Sequence, residues 1–174
     1  MYTLYMIKTV DTFLEPSELK TAINIISNLK WEYNGESMSG SDYVLWYSNL
    51  LPISFFSEYI FKKIKLKFND KLELLHVYAN GQTYGQDGSF HVDHVESDYY
   101  TFILYLSDIG PETVNHIGGY TEFKFKNGVH AIEPILNRGV FFNSNIIHRG
   151  LSPSRNSSML RVSVAFKMRL KPYD

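Results

Sequence analysis

His91-Val92-Asp93 puts an imidazole and a carboxylate two residues apart. On a strand, residues two apart point to the same face. His91 and Asp93 would then project together, with Val92 opposite. His148 lies far downstream on a late strand candidate and can supply a third donor in space. Two histidines and one carboxylate suit a divalent iron held from one side. The purpose of so few protein ligands is vacancy. The open positions can take a bidentate 2-oxo acid and dioxygen. His-x-Asp alone equally describes a surface strand with two polar residues, so the later residues decide.

The last strand candidate is the second piece. In Leu160–Met168 the even positions are Leu160, Val162, Val164, Phe166 and Met168, an apolar face that should pack on helices. The odd positions are Arg161, Ser163 and Ala165, then Lys167 and Arg169. By pattern alone the odd face is solvated. The functional alternative turns Arg161 and Ser163 into a barrel mouth. A guanidinium fork matches a carboxylate bidentately, and Ser163 adds a hydroxyl donor.

Composition narrows the chemistry. The chain has 174 residues and no cysteine, which removes thiolate metal sites, iron–sulfur clusters, disulfides and Cys nucleophiles. Any metal must be held by His, Asp or Glu. A net charge of -1 does not advertise a phosphate-backbone grip, so no nucleic acid is expected. No uncharged apolar run is long enough for a membrane helix, and MYTLYMIK lacks the basic start of a signal peptide. The expectation is no membrane and a cytoplasmic compartment. Oligomeric state is not legible.

The elements that must position these residues follow from periodicity and breakers. The length suggests one domain over 1–174, a helical support region at 1–70 and a strand-rich core at 71–170. Residues 3–13 suit a first strand. Pro16-Ser17 opens a helix, with Leu19, Ala22, Ile23, Ile26 and Leu29 on one face. Pro52 opens a second, carrying Phe56, Tyr59, Ile60 and Ile64. Trp31 to Asn49, broken by Gly35 and Gly40, stays open. Beyond Asn69-Asp70 come strand candidates at 72–79, 89–93, 99–107, 120–126, 129–133, 139–143, 146–151 and 160–169, separated by Gly, Asn and Pro turns. This is a mainly β chain, read as a jelly roll or cupin-like barrel with N-terminal supporting α-helices.

The order His91-x-Asp93, Gly118-Gly119, His148, Arg161-x-Ser163 resembles the 2-oxoglutarate/Fe(II)-dependent oxygenases, and most closely their prolyl 4-hydroxylase-like branch. Tyr78-Ala-Asn-Gly-Gln-Thr-Tyr84 resembles the branch's tyrosine-bearing strand and turn. Thr101-Phe-Ile-Leu-Tyr105-Leu-Ser resembles the strand that follows. Gly118-Gly-Tyr-Thr121-Glu-Phe and Ile132-Glu-Pro134 through Asn143 resemble the run that leads to the second histidine. The resemblance covers roughly residues 72 to 168.

The resemblance implies a double-stranded β-helix and a hydroxylase that uses Fe(II), 2-oxoglutarate as co-substrate and O2, with ascorbate as a supporting reductant. His91, Asp93 and His148 would be the metal ligands, with no further catalytic residue. Arg161 would pair with the C5 carboxylate of 2-oxoglutarate, Tyr105 would hydrogen-bond it, and Ser163 would assist. Tyr84 or Tyr78 would line the pocket. Two departures stand out. Gln86 to Ser89 is extra length before His91, and the gap from His148 to Arg161 is long, so Arg149 and Arg155 compete for the carboxylate. Arg161 is preferred because it sits in a regular strand. The branch implies a prolyl residue of a peptide or protein as substrate, with a free amino acid or small molecule as the alternative. A cupin-type metalloprotein without 2-oxoglutarate and a metal-free binding module are the other readings.

Overall fold

The structure is a computed structural model and describes residues 7–36 and 44–171. Pro16 at the first helical position, and Glu18 accepting the Glu15 N–H at 2.8 Å, start helix α1 (Pro16–Ser27). Ala22 and Ile26 are buried on its inner face, with Leu19 and Leu29 packed behind them. Ile23 is exposed instead, and Ile25 turns inward. A π-helical turn, Phe55–Ile60, runs into helix α2 (Phe61–Phe68) and buries Phe56, Ile60 and Ile64 on one side. Helix α3 is a single turn, Val114–Ile117.

Ten strands are described: β1 (Lys8–Val10), β2 (Glu32–Glu36), β3 (Val44–Asn49), β4 (Leu72–Gln82), β5 (Tyr99–Tyr105), β6 (Thr121–Phe125), β7 (Gly128–Ile132), β8 (Gly139–Asn143), β9 (His148–Gly150) and β10 (Arg161–Leu170). Seven form an antiparallel sheet in the order β1-β8-β5-β10-β4-β3-β2, and three form a smaller sheet, β7-β6-β9. The two sheets make a jelly roll, as expected. Between helices and large sheet lies one core, which takes Phe102 and Leu104 of β5 and Val162, Val164, Phe166 and Met168 of β10. Between the sheets lies a second, with Ile103, Tyr105, Phe123 and Phe142. The even face of β10 therefore packs against the helical layer. Its odd face, apart from Arg169, turns toward the smaller sheet and is not simply solvated.

Two local expectations differ from the structure. The stretch left open between Trp31 and Asn49 supplies β2 and β3, so the support region 1–70 adds strands to the large sheet as well as helices. Gly40 and residues 3–6 of the first strand candidate lie outside the described residues. The strand expected at 89–93 is only a single bridge, His91 to His148. The N–H groups of Asp93 and His94 both turn to the Ser144 carbonyl, at 2.9 and 3.2 Å, which curls the chain out of an extended ladder. Among the described residues no helix is long and apolar enough to cross a membrane.

Candidate metal centre and its cavity

The His91–His148 bridge is what brings the two imidazoles together. Each residue's N–H donates to the other's carbonyl, at 3.0 and 2.9 Å, and the rings lie 4.5 Å apart. His91 Nδ1 faces the Ser89 carbonyl at 2.9 Å, and His148 Nδ1 faces the Ile146 carbonyl at 2.8 Å. A carbonyl only accepts, so both Nδ1 atoms carry the proton and both Nε2 lone pairs are free. Those Nε2 atoms point at the Asp93 carboxylate, His91 to Oδ1 at 3.4 Å and His148 to Oδ2 at 3.5 Å. Three acceptor groups with ligand atoms all within 4.8 Å of one another converge on one point. Lone pairs aimed at one point repel unless a positive charge lies among them. The donor set and the fixed tautomers fit a divalent metal with open positions.

The surroundings shift these side chains in the direction that metal binding would need. Burial pushes His148 down to about 4, which keeps it neutral. Burial raises Asp93, but the Lys167 ammonium beside it outweighs burial and holds the carboxyl well below its usual range. Thr101 donates to Asp93 Oδ2 at 2.6 Å and meets Ser144 Oγ at 3.0 Å. Lys167 forms an ion pair with the same Oδ2.

Behind the triad runs a narrow cavity of 70 Å³ whose lining includes His91, His148, Tyr78, Thr121, Arg161 and Ser163. Arg161 lies at its floor and is 2% exposed. Its Nε donates to the Gly119 carbonyl at 2.5 Å, one terminal nitrogen to Gln82 Oε1 at 2.7 Å, and the other to Thr121 Oγ1 at 3.0 Å. All these acceptors are neutral. Among the described residues no carboxylate forms an ion pair with this guanidinium, although the exposed Glu36 lines the same cavity. Gly119 is required there: its φ is +81°, and a Cβ would sit 3.0 Å from Arg161 Cδ.

The structure places the remaining sequence-derived candidates as follows. Ser163 is buried 3.4 Å from the guanidinium. Tyr105 is fully buried and donates to Thr121 Oγ1 at 2.7 Å, the same oxygen that Arg161 meets. Tyr78 lines the cavity beside Lys167. Tyr84 is 61% exposed on the turn after β4, outside the lining. Of the competing arginines, Arg155 is exposed in a turn, and Arg149 is bound to Glu122 at 2.7 Å and stacked on Phe90. The segment 82–88 is stapled: Gln86 accepts from the Thr83 N–H and donates to the Val44 carbonyl, Gly88 donates to the Gly150 carbonyl, and Asp87 accepts the Ser152 N–H.

Lys167, Thr101, Ser144 and Gln82 were not picked out as site residues from the sequence. The first had a signal. Lys167 shares the odd face of β10 with Arg161 and Ser163, so once that face is inward, Lys167 is inward too. Ser144 and Gln82 had none, because both act across sequence separations that periodicity does not see.

No protein-family model matches the chain, and no curated protein matches it. Solved structures do match in fold. A prolyl-4-hydroxylase from Pseudomonas putida superposes with a TM-score of 0.70 at 16% identity, over 97% of this chain and 95% of that one. A prolyl hydroxylase from Trichoplax adhaerens, solved with a hypoxia inducible factor peptide fragment, gives 0.70 at 15% identity, over 95% and 84%. HygX from Streptomyces hygroscopicus, solved with nickel, 2-oxoglutarate and hygromycin B, gives 0.68 at 11%, over 97% and 84%. At these identities the likeness is one of fold, and the chemistry has to be argued from the site.

Proposed function

We propose that this chain is an Fe(II)- and 2-oxoglutarate-dependent oxygenase that hydroxylates an unactivated C–H bond, with release of succinate and CO2. One observation carries the reading. One cavity runs from His91 and His148, which converge with Asp93 as three metal-type acceptors, to a buried guanidinium that has no carboxylate ion pair among the described residues. A buried cation without a counter-charge is costly unless a ligand supplies the anion. A short dicarboxylate that chelates a metal at its keto-acid end satisfies both. A metalloprotein that did not use 2-oxoglutarate would leave Arg161 unexplained.

In this reading His91, Asp93 and His148 hold the iron. Arg161 takes the far carboxylate, with Gln82 and Gly119 orienting its fork and Ser163 and Tyr105 backing it. Bound iron with 2-oxoglutarate and O2 supplies the oxidising power. The protein orients the co-substrate and excludes water, which the small cavity and its buried lining favour. Tyr78 is the better placed of the two tyrosines to meet ligand. For the substrate, the fold shared with prolyl hydroxylases supports a prolyl residue of a peptide. A free amino acid or other small molecule is the alternative substrate.

The test needs no substrate. Apo-protein mixed with Fe(II) and 2-oxoglutarate without oxygen should give the visible metal-to-ligand charge-transfer band. His91→Ala should abolish it, and Arg161→Ala should weaken 2-oxoglutarate binding by roughly 100-fold, the cost of removing one partner of a buried charge pair. Iron binding without the band would overturn the co-substrate assignment. No stoichiometric metal in well-folded protein would overturn the oxygenase reading.

A further inference from the structure

Lys167 holds Asp93, but the proposed chemistry brings its ammonium no ligand of its own. It sits on β10 directly opposite Thr101 of β5, and a register shift on the β4 side falls between Lys167 and Met168, beside Leu75. Such bulges re-aim side chains next to sites. Its ammonium pairs with Asp93 Oδ2 and interacts with the Tyr78 hydroxyl. Lysine has three N–H donors, so at least one remains.

Lys167, Tyr78 and His91 also form a partition. They line the inner cavity that ends at Arg161, and they line a separate cleft of 290 Å³ on the other side of the triad. The cleft's other walls include Val92, Tyr99, Leu75 and Met168, with His94 stacked on Tyr99 at 3.4 Å. It reaches Asp93 and His91 directly, and among the described residues Lys167 is the only lysine or arginine in its lining. A molecule in this cleft would present an apolar body to the walls and meet the ammonium where it meets the metal.

Charge points the same way. With a divalent ion and the dianion of 2-oxoglutarate in place, Asp93 is shared with the metal and Arg161 is answered by the co-substrate. Among the described groups that line both the triad and the outer cleft, one positive charge is left over beside Lys167. Glu36 borders the inner cavity but is exposed to solvent, and it does not line the outer cleft. A largely buried excess cation favours an anion that arrives with the substrate.

We propose that the outer cleft is the substrate site, and that Lys167 selects a substrate bearing a carboxylate close to the C–H bond to be oxidised. The carboxylate belongs to a free amino acid, to a peptide C-terminus or to an acidic side chain. This rests on the oxygenase reading above and narrows its substrate class.

The experiment is calorimetric titration of protein saturated with Mn(II) and 2-oxoglutarate, so that the inner cavity is filled and no turnover occurs. The probes are the free L-amino acids, their N-acetyl forms, the N-acetyl amides of Asp and Glu, and the amides of the remainder. At least one carboxylate should bind about tenfold or more tightly than its matching amide, as expected for one charge-assisted contact. Lys167→Gln should remove that preference and Lys167→Arg should keep it. Which probe binds best separates free amino acid, chain terminus and side chain. If no carboxylate binds better than its amide, or if Lys167→Gln keeps the full preference, the proposal is wrong. If the wild-type protein takes up no 2-oxoglutarate in the loading step, the underlying oxygenase reading fails instead.

Discussion

Lys167 and Thr101 stand directly opposite each other on β10 and β5 and grip the same oxygen of Asp93. Neither would touch a metal. Together they decide where the carboxylate of the triad points, because Asp93 lies on a curled segment with no ladder to hold it. Thr101 is fully buried and its hydroxyl is also held by Ser144. Replacing it by valine keeps the shape and the strand preference and removes only the hydroxyl. Thr101→Val should weaken divalent metal binding by about tenfold, the lower end of what partners of metal ligands contribute. Competitive titration with a metal-sensitive dye would measure it. Unchanged affinity would mean that Lys167 alone orients Asp93.

Gly119 makes a second prediction. Its backbone conformation disfavours any side chain, and the space a Cβ needs is taken by the Arg161 side chain. Gly119→Ala should cost about 1–3 kcal/mol of stability through backbone strain. It should also weaken 2-oxoglutarate binding more than metal binding, since the fork moves while the triad does not. Thermal melts with Mn(II) alone and with Mn(II) plus 2-oxoglutarate separate the two effects. An equal loss of both ligands would show general unfolding and not displacement of the guanidinium.

The sequence made some of this legible and hid the rest for physical reasons. Period-two alternation exposed the apolar face of β10 and the shared face of Thr101, Ile103 and Tyr105, because a strand buried on one side must alternate. It left the inner face of β10 undecided, since Arg, Ser and Lys read as solvated until a second sheet is known to cover them. The triad was legible as residue types, but the bridge that aligns His91 with His148 depends on pairing between distant segments. β2 was missed because Glu32–Glu36 is mostly exposed at the sheet edge and carries no alternation to detect. The turn 83–86 gave no sign of its staples, which are side-chain bonds from Gln82 and Gln86.

Asn137 shows how the N-terminal layer is fixed to the barrel. It adopts φ 65°, a conformation asparagine tolerates better than most residues, and is buried. Its side chain accepts the Leu14 N–H at 2.8 Å and donates to the Leu14 carbonyl at 2.8 Å. Asn137→Ala would leave both backbone groups of Leu14 unpaired and put a Cβ-only residue in the left-handed region. The expected loss is about 3 kcal/mol, from two buried hydrogen bonds. Urea unfolding should show a lower midpoint with an unchanged slope. A loss below about 1 kcal/mol would mean that water replaces the amide.

The triad also sets how the metal-free protein responds to acid. His148 is held neutral by burial, with its value pushed down to about 4 from an ordinary 6.5. Below 6.5 the unfolded chain binds a proton here that the folded chain refuses, so stability falls as pH drops from 6.5 toward 4. Asp93 acts in the same direction at lower pH. Its carboxyl is held well below the usual range, so the stability it contributes is present at neutral pH and is lost once the folded form is protonated. Chelator-treated protein should therefore lose up to about 3 kcal/mol between pH 6.5 and 4 from His148 alone. His148→Asn should flatten that part of the profile. Saturating Mn(II) should raise stability at neutral pH and steepen the acid limb, because the metal competes with protons for the same three groups. Urea midpoints across this pH range, with and without metal, provide the measurement, and a flat profile in the metal-free wild type would show that His148 takes up its proton as readily in the fold as outside it.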